Sequence, residues 1–419
     1  MNKSLNVVVA VAVVVVIFSS CSSVLLAQAD GPGMVGPLVG HTTDTSATLW
    51  MYAPNNAKVE VAYRETAVKI HERRSPFTPV ADPASQGASR PFKVTLTKLR
   101  NNHSYDYRIF VNGKLLQENN WTFKTAPVAN KPAKFKIGLT SCMRIGKPLT
   151  SWKLFEKAAP DLHLTVGDTH YADSTNPKKQ WQHHVQYRKV PQFASVIRRF
   201  PTYSIWDDHD YGPNNSDGTA KGKENSLKGW NQFWANPKSG TSTTPGAFYT
   251  FHWGDVQVFM VDSRYHRSPD KAPDDKNKRM IGDAQFKWLI DGLTKSKAKF
   301  KVIASGSTLN HSGNDGWRIY THARHRFFDA IKKHRIGGVV YMAGDIHRSL
   351  VWEHHESKRV GYPLVEVISS GIANSKTLSF ATVEFDTTKP DPTMQVRITQ
   401  GDGKTSTDKT WKLSDLQVK

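Results

Sequence analysis

The sequence predicts an α/β protein with a small all-β unit in front of it. Between residues 30 and 127, short alternating or β-branched runs follow one another with only turn residues between them. From Phe135 onward, apolar runs of strand length alternate with segments of helical period, the texture of an α/β layer structure. Several of these later strands are followed at once by Cys, Asp or an Asp–His group, which points to function as well as fold.

Residues 1–29 stand outside the fold. Lys3 precedes an unbroken apolar run from Val7 to Phe18, too short to span a bilayer comfortably, and Ala27-Gln28-Ala29 supplies a small-residue cleavage site. This is the pattern of a signal peptide, so the chain is expected to be secreted, periplasmic or at the cell surface. Ser19-Ser20-Cys21 offers a weaker alternative, a lipoprotein site at which Cys21 would be acylated. Either way Cys142 is the one thiol left in the mature chain. An intramolecular disulfide is thereby excluded, and such a cysteine is either buried and inert or held by a metal.

Lys and Arg number 57 against 36 Asp and Glu, a formal net charge of +21. A surface this basic favours anionic substrates or an anionic membrane surface. The charges are scattered, as at Arg73-Arg74, Lys178-Lys179 and Arg198-Arg199. No basic helix or nucleic-acid module is visible, which argues against sequence-specific nucleic-acid binding. No internal repeat and no second hydrophobic span is visible either, and a monomer is expected.

In the front unit, strands are expected at Ala47 to Tyr52, Lys58 to Tyr63, Phe92 to Leu96, Tyr105 to Val111 and Trp121 to Lys124. Pro54, Asn55-Asn56, Asn101-Asn102 and Asn112-Gly113 punctuate them, and a small β-sandwich is the natural closure. His41, His71 and His103 read there as surface or core residues. Ala126-Pro127 to Pro132 is a linker, so the boundaries fall at 30–127 and 133–419. Beyond it, strands are expected at Phe135 to Thr140, Asp161 to Val166, Thr202 to Trp206, Val256 to Val261, Lys301 to Ala304 and Gly338 to Ala343. Helices are expected at Ser151 to Ala158, Val185 to Arg198, Asp283 to Lys295 and Arg324 to Lys333. Leu364 to Ile368, Ser379 to Phe385 and Met394 to Ile398 are expected to form a second sheet.

The strand ends then carry Ser141-Cys142, Gly167-Asp168, Asp207-Asp208-His209-Asp210, Asp262-Ser263-Arg264 and Gly344-Asp345-Ile346-His347. Open α/β sheets place their ligands at such C-terminal edges. One carboxylate there is ordinary, and Asp168 followed by Tyr171, taken alone, reads as a strand cap and a packed ring rather than as ligands. Several together crowd negative charge at one edge of a sheet, and cations are the cheapest way to neutralise it.

With those motifs in place, the chain resembles the PhoD-like alkaline phosphatases of the metallophosphoesterase superfamily. The carrying residues are Ser141-Cys142, Gly167-Asp168-Thr169-His170-Tyr171, Trp206-Asp207-Asp208-His209-Asp210, Asp262-Ser263-Arg264 and Gly344-Asp345-Ile346-His347, with Ile281 to Leu289 like that family's helix start. Their order and spacing, rather than any one motif, are specific. Asp210 departs from the glutamate often found there, and Asp173 to Gln182 is a short insert at the pocket.

The resemblance implies a four-layer α/β/β/α metallophosphoesterase domain preceded by a small fibronectin III-like sandwich. It implies a binuclear metal centre with Cys142, Asp168, Tyr171 and His347 at the first metal. Asp168 would bridge to a second metal held by Asp208 and Asp345, with Asn231 and Asn214 completing that metal's ligands or supporting them from behind. Fe(III) with Ca(II) is the implied pair, since thiolate and phenolate suit ferric iron and carboxylates suit a harder ion; zinc or manganese is the alternative. His209, oriented by Asp210, would contact or protonate the leaving group. Arg264 and Arg348 would either fork onto the phosphate or neutralise neighbouring carboxylates. His311 is a weaker candidate, and His354-His355 reads as structural.

The expected function is an exported hydrolase releasing phosphate from organic phosphomonoesters or phosphodiesters. Phospholipase D-like cleavage of lipid head groups is the enzymatic alternative. A non-catalytic cell-surface β-sandwich module with a degenerate metal domain is the alternative of a different class.

Overall fold

The computed structural model describes residues 33–53, 57–66, 78–81, 91–310 and 315–419. The expectations for Cys21, the cleavage site, Pro54, Asn55-Asn56, His71 and His311 lie outside the described residues.

Two six-stranded sheets carry the strand ends singled out above. The first runs in the order Thr202–Ile205, Leu162–Val166, Lys134–Thr140, Ser379–Asp386, Thr393–Gln400, Thr405–Lys412. Its first three strands are parallel and the rest antiparallel. The second runs Tyr249–Trp253, Val256–Val261, Phe300–Ser305, Val339–Ala343, Val365–Ser369, Ser349–Glu353, parallel except at its two edges. The parallel strands are buried on both faces; Val339–Ala343 is accordingly an apolar run, whereas Leu162–Val166 also buries His163, satisfied by Thr140 at 2.8 Å, and Thr165.

The sheets pack face to face through aromatic pairs. Tyr203 stacks on Phe251 with ring centroids 3.7 Å apart, and Phe135 and Phe300 both meet Phe385. Helix Ser151–Ala158 lies on the outer face of the first sheet, with Phe155 against His163 and Phe380. Helix Asp283–Lys295 lies on the outer face of the second, with Trp288 against Phe259.

The expected grouping of the last strands is corrected by this topology. Val365–Ser369 joins the second sheet, whereas Ser379–Asp386 and Thr393–Gln400 extend the first. Strand propensity is local, but which edge a strand joins depends on where the chain returns. The helix expected over Val185 to Arg198 is also corrected. It is two helices, Pro177–Arg188 and Pro191–Ile197, with Val190 extended between them. Pro191 lacks the N–H a continuous helix needs and disfavours helical backbone at the residue before it.

Ahead of these sheets, Val35–Thr42, Ala47–Tyr52 and Pro91–Leu96 form a three-stranded sheet. Thr78–Ala81, Val59–Glu65, Ser104–Val111, Lys114–Leu115 and Trp121–Lys124 form a five-stranded one. Val39, Leu49, Val61, Val94, Tyr107 and Phe123 bury into one hydrophobic cluster of their own. Trp50 points the other way, into the larger core, with its ring over the Arg188 guanidinium at 4.8 Å. Among the described residues no helix is long and apolar enough to cross a membrane.

Candidate metal centre

The ends of both sheets converge because two glycines leave room for a backbone carbonyl and for an aspartate side chain where a Cβ would stand. A Cβ on Gly344 would stand 2.3 Å from the carbonyl oxygen of Val166, and one on Gly306 would stand 2.5 Å from Asp207. Their absence brings the turn after Val339–Ala343 against the turns after Lys134–Thr140 and Leu162–Val166. The crowded edge expected of one sheet is thus a shared edge of two. Cys142, Asp168, Asp345 and His347 all take left-handed backbone there, with φ of 60°, 53°, 74° and 56°. Non-glycine residues in that region cost energy, and such outliers cluster at functional sites.

Two groups of donor atoms result, each within 4.8 Å: Cys142, Asp168 and His347, and Asp168, Asp208 and His209. Asp168 belongs to both. Its Oδ2 accepts from the Cys142 thiol at 3.3 Å and the Tyr171 hydroxyl at 3.4 Å. Asp345 stands outside both groups, but its carboxyl feels Asp315, Asp207 and Asp208. Burial, and after it the neighbouring carboxylates, pushes the Asp168 and Asp345 carboxyls well above the usual carboxylate range. Burial and then Asp168 raise the Cys142 thiol, and burial and then Cys142 raise the Tyr171 phenol.

This chemistry fits a cation. Asp168 Oδ1 and Asp208 Oδ1 are buried with no hydrogen-bond partner, although buried polar atoms are ordinarily satisfied. A bound metal would pair those oxygens and draw the protons off the thiol, phenol and carboxyls.

Arg264 is the buried counter-charge within this acidic edge. Its Nε donates to Asp207 at 2.5 Å and its Nη2 to Asp315 at 2.6 Å, with Asp208 at 3.8 Å. Burial disfavours its charge, but the three carboxylates outweigh that and hold it protonated. Of the two roles open to Arg264, the geometry favours neutralising carboxylates: its guanidinium is fully buried, with Nε and Nη2 directed at Asp207 and Asp315. Arg348 is exposed and lines the cavity beside His347.

Asp210 does not orient His209. It is fully buried and accepts the backbone N–H groups of His170 and Asp207 at 2.9 and 3.1 Å, bracing the two turns. Asp173 takes the expected role, with Oδ1 2.5 Å from His209 Nδ1. The short helix Asp208–Tyr211 turns the Asp210 side chain back onto its own N-terminus, away from the imidazole. Asp262 is likewise satisfied structurally, accepting from Trp206 Nε1 and the N–H groups of Ala247, Arg264 and Tyr265. Asn231 binds Ser239 far along helix Lys223–Phe233, and Asn214 is exposed. Asn214 nonetheless lies in the turn at the donor group, where the backbone N–H of its neighbour Asn215 donates to Asp208 Oδ2 at 2.7 Å.

Ser370 and Asn374 are site residues that the strand-end reading passed over. Ser370 Oγ lies 3.0 Å from the Cys142 sulfur and accepts the His347 N–H. Asn374 Nδ2 lies 3.0 Å from His347 Nε2 and 3.4 Å from the Tyr171 oxygen. Both follow strand Val365–Ser369, so the same rule applied to that strand finds them.

A family model described as PhoD-like phosphatase matches residues 137–413, from inside strand Lys134–Thr140 to just past Thr405–Lys412, the last strand of the first sheet. The chain belongs to the PhoD-like phosphatase family. Alkaline phosphatase D of Bacillus subtilis (strain 168) is 24% identical, with 76% of this chain and 65% of that protein covered. The chain therefore spans just under two thirds of the length of that relative. A solved structure of PhoD superposes with a TM-score of 0.69 over 92% of both chains at 17% identity. Purple acid phosphatase PPD1 from yellow lupin (Lupinus luteus) seeds superposes with a TM-score of 0.65 at 12% identity, over 90% of this chain and 74% of that one. The mixed α/β fold is shared with both. Family and donor set together imply a metal centre.

Proposed function

We propose that the chain hydrolyses phosphoric esters at a binuclear metal centre built on Asp168. The observation that carries this reading is the sharing of Asp168 between two donor groups. Cys142, Tyr171, His347 and Asp168 would hold one metal, proposed as ferric iron. Asp168, Asp208 and Asp345 would hold the other, proposed as calcium. When bound, such a pair supplies Lewis acidity that offsets phosphoryl charge and acidifies water.

In the net reaction, the bond between phosphorus and the alcohol oxygen breaks and one from water oxygen to phosphorus forms. One water proton ends on the leaving alkoxide. His209 faces this region with Nδ1 held by Asp173 and its ring packed 4.3 Å from that of Tyr171, so Nε2 is the atom left to present that proton. Arg348 is proposed to bind the ester. Ser370 and Asn374 position Cys142 and His347.

Metal analysis of purified protein, together with turnover of a chromogenic phosphomonoester and a chromogenic phosphodiester, tests the reading. Two metals per chain and hydrolysis of either ester are expected. Metal-loaded protein that turns over neither overturns it.

The proposal extends to the chain's organisation: residues 30–127 as a β-sandwich module and 133–419 as the catalytic domain, exported after cleavage before Asp30. Intact-mass measurement of secreted protein checks the last point; a lipid-modified N-terminal Cys21 would overturn it.

A further inference from the structure

Beside the exposed imidazole of His347 opens a cavity of about 550 Å³ lined by Lys147, Ile346, Arg348, Asn374 and Lys376. That is room for a whole small molecule, pockets for which run roughly 300–1,000 Å³. A phosphoryl group at the metal donors needs little of it, so the cavity falls to the alcohol part of the ester. No carboxylate lines it.

Some surface lysines are held by carboxylates, as Lys124 is by Asp161, Lys134 by Glu384 and Lys287 by Asp291. Lys147 and Lys376 are exposed, and among the described residues no carboxylate pairs with either ammonium. With Arg348 also lining the cavity, Arg144 adds a further cation close by, 5.3 Å above the Tyr171 ring. One flank of the reacting centre therefore presents concentrated positive charge beyond anything the phosphoryl group itself requires. Such a field selects partners by charge complementarity.

We propose that this cavity recognises a second anionic group on the alcohol part of the substrate. The preferred substrates are then small phosphomonoesters whose alcohol also carries a carboxylate or phosphate. This inference rests on the hydrolase reading and narrows its substrate class.

A matched pair of esters tests it. Glycerol 3-phosphate and 3-phosphoglycerate differ only in a terminal hydroxymethyl group against a carboxylate. The metal-loaded full chain is expected to favour 3-phosphoglycerate in kcat/KM by about tenfold. The double variant Lys147→Ala, Lys376→Ala should abolish that preference through KM, leaving glycerol 3-phosphate within about twofold of wild type. Both positions are exposed, so folding is not at stake. Equal kcat/KM for the two esters in the wild type, or an equal loss for both in the variant, overturns the inference and leaves the hydrolase standing. No turnover of either ester by metal-loaded protein overturns both.

Discussion

The Asp173 carboxylate stands 2.5 Å from Nδ1 of His209. Asp173 itself takes left-handed backbone, with φ of 50°, in the turn that follows the Asp168–Tyr171 segment. A carboxylate on one imidazole nitrogen fixes the tautomer and orientation at the other. Asp173→Asn keeps the shape and removes the charge. It is expected to lower kcat by roughly 10- to 100-fold, with a much smaller change in KM, as loss of general acid assistance does. Steady-state kinetics on a poor leaving group checks it. An equal kcat for variant and wild type would show that His209 carries no proton in the rate-limiting step.

The two donor groups are expected to come apart in mutants. Asp208→Ala should abolish turnover and leave the metal at Cys142 and His347 largely bound, because it removes a donor from one group only. His347→Ala should release that metal. Elemental analysis decides; if both variants lost the same metal, the division of ligands would be wrong.

Colour tests the metal itself. With ferric iron at Cys142 and Tyr171, a charge-transfer band should tint the purified protein, which neither zinc nor calcium can produce. Tyr171→Phe keeps the buried ring and deletes the oxygen, so it should shift or bleach the band with little loss of stability. Cys142→Ser should change the spectrum differently and remove the one described free thiol. Active, metal-loaded protein without a visible band would sink the ferric assignment alone.

Arg264 is expected to matter for folding more than for substrate affinity. Arg264→Met would leave Asp207 and Asp315 buried without their donor. Breaking a buried pair from one side costs about 3–5 kcal/mol. A denaturant midpoint within error of wild type would contradict the ion network described here.

Glu366 gives a pH dependence of stability. Its carboxylate is fully buried, accepts the N–H groups of Leu309 and Asn310 and the indole N–H of Trp352, and is pushed up to about 7 by burial. With the folded value raised above the ordinary 4.5, the native state holds this proton more tightly than the unfolded chain. Stability from this group is therefore present below pH 4.5 and lost as pH rises towards 7. Glu366→Gln cannot ionise and should flatten that part of the profile. Thermal melts of the two proteins across this range, showing parallel curves, would refute it.

Much of this was legible in the chain because its determinants are local. An apolar run bounded by Gly167 announces a buried strand, and Asp168 directly after it must lie at that strand's end. The same reasoning placed Cys142, Asp208 and His347, and the order of these ends was enough for the family. Strand Ala47–Tyr52 and helix Asp283–Lys295 fell where their alternation and period put them. What the sequence could not decide was which ends meet. Asp210 and Asp173 are both near His209, one by sequence and one by the path of a loop, and only packing chose Asp173. Arg264 could have faced a ligand or a carboxylate, and the approach of Asp315 from a distant loop made it an internal counter-ion. Hydrogen bonds and ion pairs depend on through-space distances of a few ångströms, set by how the two sheets close on each other through Gly306 and Gly344. Residue type and spacing along the chain carry the chemistry available; the packed sheets decide which groups share it.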